Sequence, residues 1–442
     1  MATVANTMTQ RIIRWKDLPA ARNFAWLGLD RGIRMVVSVF VGFWVARYFG
    51  PERFGLFNYA LAAVALAGPI AELGLEAVAR REFVRDPEAA ATLAGTVLRL
   101  RLGGGVVALV VIFAVAVFSG MSGQEKWLFV ILSFGVLQPA AMISESWLQS
   151  RLESRKSVVP QWIALCIGAL LRVSAILNRA PIEVFALIVV VEQGLTIFFV
   201  VRTASASGLR FGRFDPPLAR RLLSECWPLA LASSAVMIYM RIDILMLRWM
   251  NGEAASGQYA AAVRLSEMAY FVPTILAASV QPGLARTSAE RATIYKEHLQ
   301  RYFDMSALIA YAFAVPAALL APWIIRLAYG NAYATAAPIL AIHAWASLFV
   351  FLGVARSQYL INAGLTRFSL AATVTGAVLN IGLNIVLIPR WSGLGAAIAT
   401  VISYAVSAWL SSFCSSGVRP IGWMQARALI SPIFAWRYLC KT

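Results

Sequence analysis

Long apolar runs separated by short polar breaks recur along the whole chain, at about 24–46, 55–78, 96–118, 127–148, 157–178, 182–201, 224–248, 258–284, 303–325, 334–355, 368–389 and 393–415. A helix needs about 20 mostly apolar residues to cross the hydrocarbon core of a bilayer, so the pattern predicts twelve membrane-spanning helices. Strand-like alternation does not fit runs of this length, which excludes a barrel. The first run is too long for a signal-peptide core, and the polar, basic stretch before it (residues 1–22) reads as a tail preceding an uncleaved first span. After the last run, Ile421 to Leu439 is apolar with Arg427 and Arg437 interspersed, the pattern of an interfacial helix rather than a thirteenth span.

Composition sharpens this reading. Of 442 residues, 60% are hydrophobic and 14% charged, against about 45–50% and about 25% in soluble domains. A soluble globular, disordered or disulfide-stapled secreted protein is excluded. The formal net charge of +18, from 39 Lys+Arg against 21 Asp+Glu, would suggest nucleic acid in a polar chain; here it belongs to loops. With the N-terminus in the cytoplasm, cations fall about four times as often in cytoplasmic segments as in outer ones, the bias that orients membrane proteins. Both termini are then cytoplasmic and no nucleic-acid partner is expected. The outer loops are short, so no soluble domain is inserted. Four cysteines (Cys166, Cys226, Cys414, Cys440) and two histidines (His298, His343) show no metal-ligand spacing.

The chain also repeats itself. Gly50, Gly55, Phe57 and Ala60 correspond to Gly252, Gly257, Tyr259 and Ala262 at an offset of 202; Trp147, Leu148, Arg155 and Ser157 correspond to Tyr359, Leu360, Arg367 and Ser369 at an offset of 212. An all-α polytopic protein of about twelve transmembrane helices follows, in two six-helix lobes related by a pseudo-two-fold along the membrane normal, with a cavity where they meet. The expected organisation is a cytoplasmic N-terminus (1–22), an N-lobe (23–201), a basic cytoplasmic linker (202–223), a C-lobe (224–415) and a cytoplasmic tail (416–442).

Charges inside spans are costly unless they face an interior, a partner or water. Asp30 and Arg34, one turn apart, can pair on one face, as can Arg264 and Glu267. Arg31, Arg172 and Arg241 have no obvious partner in their own helices and are expected to line the cavity. Asp30, Asp243, Glu267 and Glu192 are candidates for charge balance or ion coupling. The buried cations are all arginines, whose planar fork suits phosphate oxygens, so Arg31, Arg34, Arg172, Arg241 and Arg264 form the candidate substrate site. His343 reads as a hydrogen-bonded packing residue, and Trp147, Trp162, Trp345 and Trp409 as interfacial anchors. The Gly103–Gly105 run lacks the Lys-Ser/Thr of a phosphate loop and suits close helix approach.

WVARYFGPERFGLFNYALAAVALAGPIAELGLEAVARREFVRD (Trp44 to Asp86), MRIDILMLRWMNGEAASGQYAAAVRLSE (Met240 to Glu267) and LNIGLNIVLIPRWSGLGAAIATVISYA (Leu379 to Ala405) resemble, in order, the corresponding stretches of the Wzx-type polysaccharide flippases. That family belongs to the multidrug/oligosaccharidyl-lipid/polysaccharide exporter superfamily. The resemblance implies a non-enzymatic flippase of the bacterial inner membrane, moving undecaprenyl-pyrophosphate-linked oligosaccharide repeat units to the periplasmic leaflet for O-antigen, lipopolysaccharide or exopolysaccharide. Expected partners are that lipid, the phospholipid bilayer, and a polysaccharide polymerase and chain-length regulator. No nucleotide-binding domain and no cofactor are expected, leaving H+ or Na+ gradients or substrate flux to drive transport. The rivals are a cation/multidrug antiporter of the same superfamily, with a carboxylate-dominated cavity, and a membrane glycosyltransferase, polymerase or ligase, which would need a larger outer domain.

Overall fold

A computed structural model describes residues 19–277, 280 and 292–430. The N-terminal stretch to residue 18, the tail beyond Ile430 with Cys440, and residues 278–279 and 281–291 lie outside the described residues. The described chain is helical throughout and contains no strand. In chain order its longer helices are α1 (Pro19–Leu66), α2 (Leu75–Arg85), α3 (Ala90–Phe118), α4 (Gly123–Ser133), α5 (Ile143–Ser150), α6 (Ser154–Leu177), α7 (Ile182–Ala206), α8 (Pro216–Asn251), α9 (Glu253–Glu267), α10 (Ala292–Leu319), α11 (Ala321–Tyr329), α12 (Ala336–His343), α13 (Ala346–Asn362), α14 (Thr366–Ala408) and α15 (Arg419–Ile430). Ten helical runs among the described residues are long and apolar enough to cross a membrane. Two of them, Ala25–Arg85 and Thr366–Cys414, are far longer than one crossing requires. Each is broken by a non-helical residue, Gly50 (φ 69, ψ 174) and Ser392 (φ 50, ψ −132). The protein is a multi-pass, all-helical membrane protein.

Two compact units divide the chain: Met1–Gly42 with Ala63–Ser234, and Phe43–Ala62 with Ala235–Thr442. In the first, α3 shows how the sequence serves two surroundings. Gly104, Gly105, Ala108 and Ile112 are buried while Val106, Val110, Val117 and Phe118 are exposed, so small residues admit neighbouring helices and large apolar ones face outward, where a bilayer is the solvent. Of the basic linker expected over residues 202–223, only 207–215 is non-helical, because α7 and α8 extend into it. That remnant is pinned: Gly212 N donates to Ala91 O (2.7 Å), Arg99 Nη1 to Gly212 O (2.9 Å) and Asp215 N to Thr96 Oγ1 (3.1 Å).

In the second unit, Phe303, Phe351, Leu352, Val418, Ile421 and Ala428 share one buried core. The tail helix α15 packs there through Ile421 and Ala428, and its buried Gln425 Nε2 donates to Ala408 O (2.9 Å). Gly50 and Gly252, matched in the repeat, adopt the same left-handed φ with extended ψ (69, 174 and 87, −176), a conformation glycine reaches without steric cost. Their matched neighbours Gly55 and Gly257 meet backbone to backbone. A Cβ on Gly55 would lie 1.9 Å from Glu253 O, and one on Gly257 would lie 1.9 Å from Pro51 O. The second repeat match behaves alike: Leu152 (φ 59) and Gly364 (φ 69) turn the chain two residues before α6 and α14 begin.

Candidate functional site

The first unit holds a cavity of about 420 Å³ among polar side chains. α1 contributes Asp30 and Arg31, α2 contributes Glu76 and Arg80, and Glu72 ends the short helix Gly68–Glu72 that precedes α2. Arg101 of α3, Glu145 of α5 and Gln161 of α6 complete the charged and amide wall. Asp30 Oδ1 accepts from Arg34 Nε (2.8 Å) and from Trp162 Nε1 (2.8 Å), and Arg34 Nη2 reaches Gln161 Oε1 (2.6 Å). Trp162 is therefore a polar partner of Asp30 within the unit. Arg80 pairs with Glu76 at 2.6 Å. Glu145 Oε1 accepts from Gln149 Nε2 (2.9 Å).

Arg101, near the start of the third apolar run, is not among the cavity residues that the sequence pattern picks out, yet it is only 3% exposed. Its Nη1 donates to Pro139 O (2.8 Å), and its buried Nε has no hydrogen-bond partner. A buried donor without an acceptor costs on the order of 1–3 kcal/mol, and this one belongs to a side chain in the cavity wall. Four carboxylates and three guanidiniums line the space, so it is a mixed-charge cavity.

The remaining sequence candidates are distributed as follows. Arg31 lines the cavity and is exposed; Arg34 sits one turn on, engaged by Asp30 and Gln161. Arg172 of α6 pairs with Glu192 of α7 at 2.6 Å. Arg241 of α8 pairs with Glu267 of α9 at 3.5 Å, and Arg264 lies half-buried one turn before Glu267. The partners missing from the in-helix spacing are supplied by neighbouring helices.

Asp243 has a separate environment in the second unit. It is 3% exposed. Its Oδ2 accepts from Tyr259 Oη (2.6 Å) and Thr400 Oγ1 (2.6 Å), and its Oδ1 from Asn384 Nδ2 (2.5 Å). Asn384 Nδ2 also donates to Asn380 Oδ1 (3.1 Å), while the buried Asn384 Oδ1 has no partner. α8, α9 and α14 supply this cluster. His343 packs edge-on against Tyr259 and holds Ser266 Oγ at 2.6 Å through Nδ1, as a packing residue does. The amides Asn380 and Asn384, four apart in an apolar run, were the signal that could have located the cluster; Glu72, Glu145 and Gln161 acquire their setting only through tertiary packing.

Comparison with known proteins adds the following. The family model described as "Polysaccharide biosynthesis protein" matches residues 20–288, and that described as MatE matches 228–386. The chain is 22% identical over 402 residues to the probable low-salt glycan biosynthesis flippase Agl15 of Haloferax volcanii, covering 87% of this chain and 82% of that protein. Among solved structures it is similar to the lipid II flippase MurJ in an inward closed conformation (TM-score 0.71, 16% identity, 94% of this chain and 92% of that one). It is similar as well to an inward-facing multidrug resistance MATE family transporter of the MOP superfamily (TM-score 0.69, 19% identity, 91% and 98%). At these identities the structural likeness concerns the fold.

Proposed function

Starting from a chain that belongs to the polysaccharide biosynthesis protein family, within the MOP superfamily of transporters and not among enzymes, we propose that it is a flippase for a lipid-linked oligosaccharide. The cargo is a repeat unit on undecaprenyl pyrophosphate, carried from the cytoplasmic to the periplasmic leaflet of a bacterial inner membrane by alternating access. The carrying observation is the cavity itself: carboxylates, guanidiniums and amides around about 420 Å³, in a unit whose outer side chains are apolar. Such a wall replaces the water around sugar hydroxyls while a polyprenyl tail stays in lipid. The exposed Arg31 in that wall is the guanidinium proposed for the pyrophosphate. The names of the Haloferax volcanii relative and of MurJ, both flippases, support a glycan on a lipid as cargo.

Coupling to a cation gradient is supported by Asp243. A single carboxylate held by hydroxyl and amide donors suits a proton, whose gain or loss would change how tightly α8, α9 and α14 are held together.

Reconstitution into proteoliposomes with labelled undecaprenyl-pyrophosphoryl disaccharide tests the reading. Wild-type protein is expected to move the label across the bilayer, and Arg31→Glu to abolish movement while still inserting. Transfer no faster than in protein-free liposomes, together with drug resistance conferred on a pump-deficient host, would establish the antiporter instead.

A further inference from the structure

We infer that the outward face of α15, built from Arg419, Trp423 and Arg427, binds the phosphate headgroups of anionic phospholipids and seats that end of the second unit at the bilayer surface. The inference is independent of the cargo.

Charge along the chain is the first reason. After Asp304 the sequence contains eight Lys and Arg and no Asp or Glu. The arginines of α15 therefore have no acidic residue in their own part of the chain, and neither Arg419 nor Arg427 forms a side-chain ion pair or hydrogen bond among the described residues. α10, which packs against α15, carries Glu297 and Asp304 beside Lys296 and Arg301 and adds no net negative charge. The anion that balances this face has to come from outside the chain.

The shape of the face is the second reason. Ile421, Gly422, Gln425 and Ala428 are buried, while Arg419, Trp423, Arg427 and Ile430 are exposed. Residues four apart lie about 6 Å apart along a helix axis, so the two cations and the indole between them form one stripe. Trp423 is 66% exposed and stands edge-on to Phe413, with ring centroids 5.4 Å apart. Arginine beside tryptophan and an aliphatic residue is the composition of the headgroup region, where a guanidinium can give two N–H groups to one phosphate. An acidic protein would match the arginines alone; a bilayer surface matches the arginines, Trp423 and Ile430 together.

The face is also rigidly mounted. Gln425 Nε2 donates to Ala408 O of α14 (2.9 Å) and Leu352 O of α13 (3.3 Å). From α10, Gln300 Nε2 donates to Met424 O (3.2 Å) and Tyr311 Oη to Leu429 O (3.0 Å). A lipid held on the outer side binds a platform that is already ordered, and binding to the folded helix opposes its opening.

The test follows amide hydrogen exchange over residues 419–430 of the full-length protein, stripped of lipid in a neutral detergent. The probes are phosphatidylglycerol, phosphatidylcholine and soluble glycerol phosphate. Phosphatidylglycerol is expected to slow exchange in α15 at least about fivefold, and the other two to leave it within about twofold. Arg419→Gln/Arg427→Gln is expected to weaken the response to phosphatidylglycerol about tenfold in concentration. Removing two exposed cations of the first unit, Arg210→Gln/Arg213→Gln, should leave that response within about twofold. Equal protection by phosphatidylcholine, protection by glycerol phosphate alone, or an unchanged response in the α15 variant overturns the inference. Protection by poly-glutamate with none by phosphatidylglycerol also overturns it and assigns the face to an acidic protein. Should the α15 variant fail to insert, wild-type protein at raised salt decides: screening of exposed charges should weaken the response, and a response that ignores salt overturns the inference.

Discussion

The two units stabilise charge in the membrane in different ways. The first gathers carboxylates and guanidiniums around open space. The second closes α8, α9 and α14 over one carboxylate, whose oxygens take three hydrogen bonds of 2.5 to 2.6 Å. A sealed cluster invests its groups in holding helices together; a cavity holds part of its hydrogen-bonding capacity in reserve for something that arrives later. Charge-neutralising substitutions should therefore affect stability at sealed pairs and clusters and cargo handling at the cavity.

The sharpest break in this contrast is Asp243→Ala, which strands the Tyr259, Thr400 and Asn384 donors in a dry site. We expect a loss of about 3 kcal/mol or more, seen as a lower melting temperature in detergent. Intermediate is Arg172→Met, which leaves Glu192 half-buried and unpaired. It should cost about 1–2 kcal/mol, and Arg172→Met/Glu192→Gln should regain most of it in a double-mutant cycle. In the cavity, Glu72→Gln should change stability by less than about 1 kcal/mol while shifting sugar-lipid binding several-fold. The smallest effect on folding belongs to exposed Arg31: Arg31→Ala should melt within about 0.5 kcal/mol of wild type, yet transport in proteoliposomes should fall at least tenfold. Comparable destabilisation from Glu72→Gln and Asp243→Ala would erase the distinction.

Much of the fold could be read from residue patterns because a bilayer imposes length and polarity on each crossing. Hydrophobic runs located the helices, and the Gly50/Gly252 and Gly55/Gly257 matches marked positions that share a backbone conformation and a contact. The tail helix reached the structure as twelve described residues packed on a core. The site was less legible. In-helix spacing found Asp30–Arg34, but it cannot see the partners that neighbouring helices bring to Arg172 and Arg241, or the 141 and 157 positions separating Asn384 and Thr400 from Asp243. Arg101 escaped for another reason: the end of a span cannot be fixed by composition to within a turn, and one turn separates a loop cation from a buried one.

The crossing at Gly55 and Gly257 joins two helices by their main chains, each glycine facing a carbonyl of the other's first turn. At the glycines themselves no side chain lies between the backbones, and weak Cα–H contacts to oxygen are worth only about 0.5–1 kcal/mol each. This point of contact parts at small cost. It also re-forms in one register only, because a displacement along the axis would drive a neighbouring side chain into the opposite backbone.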